Sequence, residues 1–289
     1  MGDLTSVELV RYENDVQHAF QAGGSALDMT VRKKDAPQAG TYKFRKFGKL
    51  DMIPRGAYGA MLNALATDHG IVDCTVSDFV LPIKTDEFEQ AHSGGEAPQE
   101  QSESAMACGF GMRRQQDYSV IAALEAATPD LIVTAGAGLT IAKCLDGLVQ
   151  FDTNEMRSVS GANSGDSRVH TLISEKQHRN LLADALTQSI DTSNFKSLTD
   201  AKVEGKEFAG MNFILIGTGR GTKGLQITAT ERRCYSYVKS AIGQAVSIAP
   251  RVKHGYEILL TSDVLVGQLS VGSVVIDEAG TVQYDCTEA

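Results

Sequence analysis

The chain has 289 residues, 42% of them apolar and 22% charged, with a formal net charge of −9. That length and composition supply a sizeable core, in one domain or two closely packed ones, and exclude wholesale disorder. The longest apolar runs, such as VIAAL and FILIG, fall far short of the ~20 residues that span a bilayer, so no membrane partner is expected.

The N-terminal MGDLTSVELVRYENDV lacks the basic-then-apolar order of a signal peptide, which gives the expectation of a soluble protein made in a cytoplasm. Residues 1–40 read as an N-terminal arm, helical in part over Val7 to Phe20 and broken at Gly23-Gly24. Residues 41–84 read as a long excursion. Tyr42, Phe44 and Phe47 alternate as a strand with a bulge near Lys46, and AYGAMLNALATD follows as a short helix. A turn at His69-Gly70 then leads into a return strand, CTVSDFVLPIK.

Charge is spread unevenly along this region. Eight bases between Arg32 and Arg55 face only Asp35 and Asp51, a local excess of +6. From Lys84 to Ser104 one base faces six acids, a local excess of −5. A basic patch can mean nucleic acid, but no aromatic–basic recognition module accompanies this one. An acidic chain that carries its own complementary segment points to self-association, with charge setting the register of docking. Lys43, Arg45, Lys46, Lys49 and Arg55 are therefore the candidate inter-subunit contacts.

Residues 97–128 read as one long helix, polar at its start, apolar at its end and closed by Pro129. Asp117, Tyr118, Ile121 and Leu124 share helical spacing, and Arg113 or Arg114 is placed to hold Asp117. Partial burial of that acid is expected, because the same stretch carries the apolar face. Beyond it, LTIAKCLDGLVQF and EKQHRNLLADALTQS read as helices, RVHTLIS, MNFILIG and LQITAT as strands, and RRCYSYVKSAIGQAVS as a further helix. EILLTSD, VGQLSVGSVVID and TVQYDC read as three terminal strands. No internal repeat separates these segments, so the fold class is α+β.

Few motifs carry chemistry. Gly219-x-Gly221-x-x-Gly224 follows a strand, but Leu225-Gln-Ile-Thr-Ala-Thr after it is strand-like. A dinucleotide site needs a helix there, and a P-loop needs a closing Gly-Lys-Ser/Thr. Five scattered cysteines, Cys74, Cys108, Cys144, Cys234 and Cys286, give neither a disulfide framework nor a zinc spacing and read as small buried apolar residues. His170 and His178 lack a third ligand, so no metal is expected. No catalytic residue and no cofactor are assigned.

The order of these features resembles the major capsid protein of tailed double-stranded DNA bacteriophages, with its Hong Kong 97-type fold. The residues that carry the resemblance are Ala105-x-x-Cys108 and Arg114-x-x-Asp117-x-x-Val120-Ile121-x-Ala123-Leu124 on the long helix, Glu175-Lys-Gln-His-x-x-Leu181-Leu182, and Cys234-x-x-x-Val238-x-x-Ala241-Ile242-Gly243. The resemblance implies an arm (1–40), an extended hairpin or E-loop (41–84), and a spine helix with its lead-in in a peripheral domain (85–128). It also implies a mainly axial domain (129–252, with a peripheral segment around 168–190) and C-terminal strands (253–289).

It further implies a homo-oligomer of hexamers and pentamers in an icosahedral virion head, assembled in the host cytoplasm. Portal and scaffolding or cement proteins would be its partners, and packaged double-stranded DNA would lie inside without sequence-specific contact. An encapsulin-like compartment shell shares the fold. A nucleotide-binding enzyme using the Gly219/Gly221/Gly224 loop is the reading of a different class.

Overall fold

The computed structural model describes residues 25–35, 40–48, 69–86, 97–134, 136–156, 168–184, 207–208, 210–228, 230–258 and 261–288. The helical reading of Val7 to Phe20, the AYGAMLNALATD helix, and Lys49 and Arg55 lie outside these residues.

A 30-residue helix, α1 (Ala97–Ala126), runs through the molecule and touches both of its main sheets. It ends just ahead of Pro129, whose ring disfavours helical backbone in the residue before it. Buried positions Cys108, Met112, Gln116, Asp117, Val120, Ile121 and Leu124 recur at the helical period and form a single stripe.

The upper part of that stripe meets a four-stranded sheet in the order β1-β11-β12-β4, made of β1 (Arg32–Asp35), β4 (Ser77–Asp86), β11 (Ile242–Glu257) and β12 (Ser262–Val275). Met112 packs there on Leu269 and Val271. Gly267 lets the sheet approach, because a Cβ on it would meet Cys108 Sγ at 3.3 Å. The lower part, Val120, Ile121 and Leu124, enters the main core.

That core belongs to a seven-stranded sheet. Its path is β5 (Leu131–Val133), β13 (Thr281–Thr287), β10 (Glu231–Val238), β6 (Val169–Ile173), β8 (Met211–Leu215) and β7 (Glu207–Phe208), with β9 (Ile227–Thr228) paired to β10. Two further helices belong to this half, α2 (Ile141–Thr153) and α3 (Glu175–Ala183). Each starts on a capping side chain: the Thr140 hydroxyl accepts from the Lys143 amide and the Ser174 hydroxyl from the Gln177 amide. All five cysteines are buried and unbridged, as expected of small apolar residues.

A two-stranded ribbon, β2 (Thr41–Phe47) and β3 (His69–Thr75), stands on the first sheet. Such a ribbon is marginal alone and needs cover. Phe44 supplies it by lying against Gly243, where an added Cβ would come within 2.6 Å of the ring. Cys74, Ala245 and Ile276 complete the small cluster.

Several sequence expectations are corrected. RRCYSYVKSAIGQAVS is not a helix. It forms β10, a short turn of 3-10 helix at Lys239–Ala241 and the start of β11. EILLTSD is divided between two strands, with Glu257 closing β11 and Ser262 and Asp263 opening β12. Among the described residues, LQITAT yields only the two residues of β9. His69-Gly70 is the first pair of rungs of β3, facing Phe47 and Lys46, and no bulge interrupts that ladder. The irregularities fall instead in β11, between Val246 and Arg251, where Pro250 lacks an amide to donate.

The return segment is two strands with different partners, β3 on the ribbon and β4 on β12. Position 252/253 lies inside β11, and the segment around 168–184 belongs to the seven-stranded sheet, not to the sheet under the first half of α1.

Two glycines give opposite expectations. Gly272→Ala would press a Cβ into the Thr75 carbonyl, a backbone atom that cannot swing aside, and should destabilise the subunit by about 1–3 kcal/mol. Gly109→Ala, with open space around its Cβ in the interior of α1, should stabilise by roughly 0.5–1 kcal/mol. Urea denaturation of the two single variants checks both signs.

Candidate assembly surfaces and the Asp117 node

Asp117 is fully buried at the point where α1 passes between the two sheets. An ionised carboxylate there is tolerable only if its oxygens find donors. Four do. The Ser25 hydroxyl donates to Oδ1 at 2.5 Å and the Leu27 amide at 3.1 Å; the Ala26 amide donates to Oδ2 at 3.2 Å and the Arg220 guanidinium at 3.0 Å. Partial burial of Asp117 is the expectation from sequence; the residue is fully buried, and its ionic partner is Arg220, 103 residues further on, rather than Arg113 or Arg114. Arg113 is exposed and Arg114 half-buried.

Arg220 is the residue sequence reasoning missed, and it sits inside the glycine motif. Residues Thr218–Lys223 form tight 3-10 turns in which Gly221 takes a φ of +61°, a conformation that suits glycine. The turns lie over α1, with Arg220 and Lys223 each within 6 Å of the Tyr118 ring centre, at 5.8 and 5.7 Å. The Thr218 amide donates to both carboxylate oxygens of Glu175, at 3.0 and 3.1 Å. Strand β9, not a helix, follows. The loop is thus arranged as a brace on α1, and its first amide already faces a carboxylate.

A polar seam continues from Asp117 along the helix. Buried Gln244 of β11 donates to the Gln116 carbonyl at 3.3 Å and to Ser119 Oγ at 3.2 Å, and Ser119 meets Ser273 Oγ at 2.8 Å. These bonds fix how far α1 can slide on the sheet, which apolar contacts alone leave loosely specified.

The basic ribbon divides by face. Lys43 is exposed and only loosely paired, with Asp73 at 3.9 Å across the strands. Arg45 is exposed beside Ile71, itself 59% exposed. Lys46 points the other way and closes an internal ion pair with Asp277 at 2.7 Å, tying the ribbon to the end of β12. It is therefore a contact within the subunit. Lys43 and Arg45 are the described ribbon bases that face outward.

With this geometry in hand, relatives can be named. A model of the phage capsid protein family matches residues 5–288, and the chain belongs to that family. Its fold is the Hong Kong 97-type fold of phage capsids. The capsid of Ralstonia phage GP4 superposes with a TM-score of 0.66 at 10% identity, covering 97% of this chain and 98% of that one. The mature capsid of bacteriophage PhiM1 gives 0.66 at 12% identity over 96% and 91% of the two chains. A chain of Mycobacterium phage Che8 gives 0.64 at 12% identity over 94% and 95%. A search of curated proteins by sequence finds no match.

Removing Arg220 should leave a buried, uncompensated carboxylate. Arg220→Met should then cost about 3–5 kcal/mol in urea denaturation. Lys43→Met, which loses only an exposed pair, should change stability by less than about 1 kcal/mol.

Proposed function

We propose that the chain is the major capsid protein of a tailed phage, forming the hexamers and pentamers of an icosahedral head around double-stranded DNA. The observation that carries this is the family match over nearly the whole length, joined to a capsid fold superposing over more than nine-tenths of both chains. The subunit would act in the virion, after assembly in the host cytoplasm, with portal and scaffolding or cement proteins as partners. Its role is structural rather than catalytic.

In this reading α1 and the four-stranded sheet form the peripheral domain, the seven-stranded sheet with α2 and α3 forms the axial domain, and the β2–β3 ribbon is the base of the E-loop. The outward bases Lys43 and Arg45 would meet acidic surface on a neighbouring copy. Such contacts can be individually modest, because a closed symmetric shell multiplies each of them.

The test is expression of the chain, alone and with its phage's scaffold if it has one, followed by negative-stain electron microscopy. Closed shells of uniform size are expected, and a persistent monomer under both conditions would refute the proposal. Lys43→Glu with Arg45→Glu should leave the circular dichroism spectrum and thermal midpoint of the subunit unchanged while abolishing closed shells, because like charges placed across an interface cost several kcal/mol. Normal particle yield from this variant would remove the ribbon from the assembly mechanism.

A further inference from the structure

A second basic surface lies away from the ribbon. Strand β1 reads Arg-Lys-Lys-Asp, is exposed at all four positions, and forms the outer edge of the four-stranded sheet. Among the described residues only one of its sides is paired, Arg32 lying opposite Gly243 and Asp35 opposite Val246 of β11. Lys239, in the 3-10 turn just before β11, comes to the same place. Arg32, Lys33, Lys239, Asp28 and Met29 line a concavity of about 550 Å³ between the edge strand and that turn.

Lys239 also reaches inward, to His170 on β6 of the seven-stranded sheet. Burial holds the His170 imidazole down at about 4, and the charges of Arg168 and Lys239 add to the shift. Among the described residues the bases Arg32, Lys33, Lys34, Arg168 and Lys239 outnumber the acids beside them: Asp28, which pairs with Lys33, Asp35 at the end of β1, and buried Asp117, which also acts on Lys33 and is itself paired with Arg220. Such an excess is notable on a chain whose net charge is −9.

We propose that this concavity and the β1 edge bind the phosphate backbone of double-stranded DNA, without reading its sequence. The inference rests on the capsid reading above and adds to it which surface of the subunit meets the packaged polyanion. An acidic subunit repels DNA at long range, so a shell lined with it needs local positive surface wherever DNA touches. Backbone binding requires cations in reach of successive phosphates, and exposed strand-edge amides can add donors. A protein partner would require an apolar anchor at its centre. Among the described lining residues Met29, 81% exposed, is the one exposed large apolar side chain; a lone methionine beside Arg32, Lys33 and Lys239 gives no apolar cluster at the centre, and the dominance of cations favours the polyanion over a neighbouring subunit.

The experiment measures binding of a mixed-sequence duplex about 30 base pairs long to the full-length chain, by fluorescence anisotropy, between about 50 and 200 mM salt. Each phosphate contact contributes about 0.9 to the slope of log affinity against log salt, so Arg32→Gln with Lys239→Gln should lower the slope by about 1.8. Affinity at the lowest salt should fall at least about tenfold. Arg32→Lys should retain the wild-type slope. Arg251→Gln with Lys253→Gln, which removes two exposed bases from the distal part of β11, should leave it unchanged.

Circular dichroism and thermal melting confirm that each variant is folded, and particle formation is scored separately by microscopy. An unchanged slope in Arg32→Gln/Lys239→Gln overturns the proposal, as does an equal loss in the β11 control. Wild-type DNA binding combined with failed assembly also overturns it, and would assign the patch to an acidic surface of a neighbouring copy. If the wild-type chain forms no particles either alone or with scaffold, the capsid reading fails, while the slope comparison still decides the binding site.

Discussion

One buried carboxylate constrains the rest of this subunit. Asp117 lies about two-thirds of the way along a 30-residue helix, with no exposure to solvent and four donors around its two oxygens. The donors come from two remote segments, residues 25–27 and the glycine loop at 220, so satisfying one side chain fixes three pieces of chain against one another. A buried ion pair is not in general a large source of net stability, and well-packed apolar residues often do as well. Its effect is better described as register: any displacement of α1 along its axis would strand a charge in the core.

That register matters because α1 belongs to two packing systems. Its Met112 turn rests on the four-stranded sheet, and its Val120-to-Leu124 turn enters the core of the seven-stranded sheet. Held at the junction, the helix makes the two halves of the subunit a continuous body. A shell subunit needs this rigidity, since the angle between neighbours is set by how faithfully each copy carries force from one contact surface to the next. The ribbon is attached on the same logic, with Phe44 seated on Gly243 and Lys46 tied to Asp277, which leaves Lys43 and Arg45 facing outward.

Much of the fold was legible in the sequence where local pattern and tertiary role agree. The long helix, α2, the first nine residues of the next helix, and the buried strands β6 and β8 follow from periodicity and apolar runs. The failure at residues 232–247 has a physical cause. Cys234 to Val238 are all buried, so the two-residue alternation of a half-exposed strand disappears, and Val238, Ala241 and Ile242 then happen to fall at helical spacing. Tyr235, Tyr237 and Val238, aromatic and β-branched, were the better guide.

The candidate site was legible only in part. Burial of Asp117 followed from its neighbours on the helix, but its partner lay 103 residues away within a motif that resembled a phosphate loop, and no local spacing rule reaches so far. The outward and inward faces of the basic ribbon could be separated only by the pairing of β2 with β3 and by the position of Asp277.

The central claim, that Asp117 binds the segment at residues 25–27 into the core, is most directly tested by native-state hydrogen exchange at the Ala26 and Leu27 amides. Both donate to the carboxylate, at 3.2 and 3.1 Å, and neither belongs to a helix or strand. They should exchange as slowly as core amides of α1, through opening of the whole subunit, and should become fast in Asp117→Leu while the amides of β10 remain protected. Rapid exchange of Ala26 and Leu27 in the wild-type chain would contradict the account.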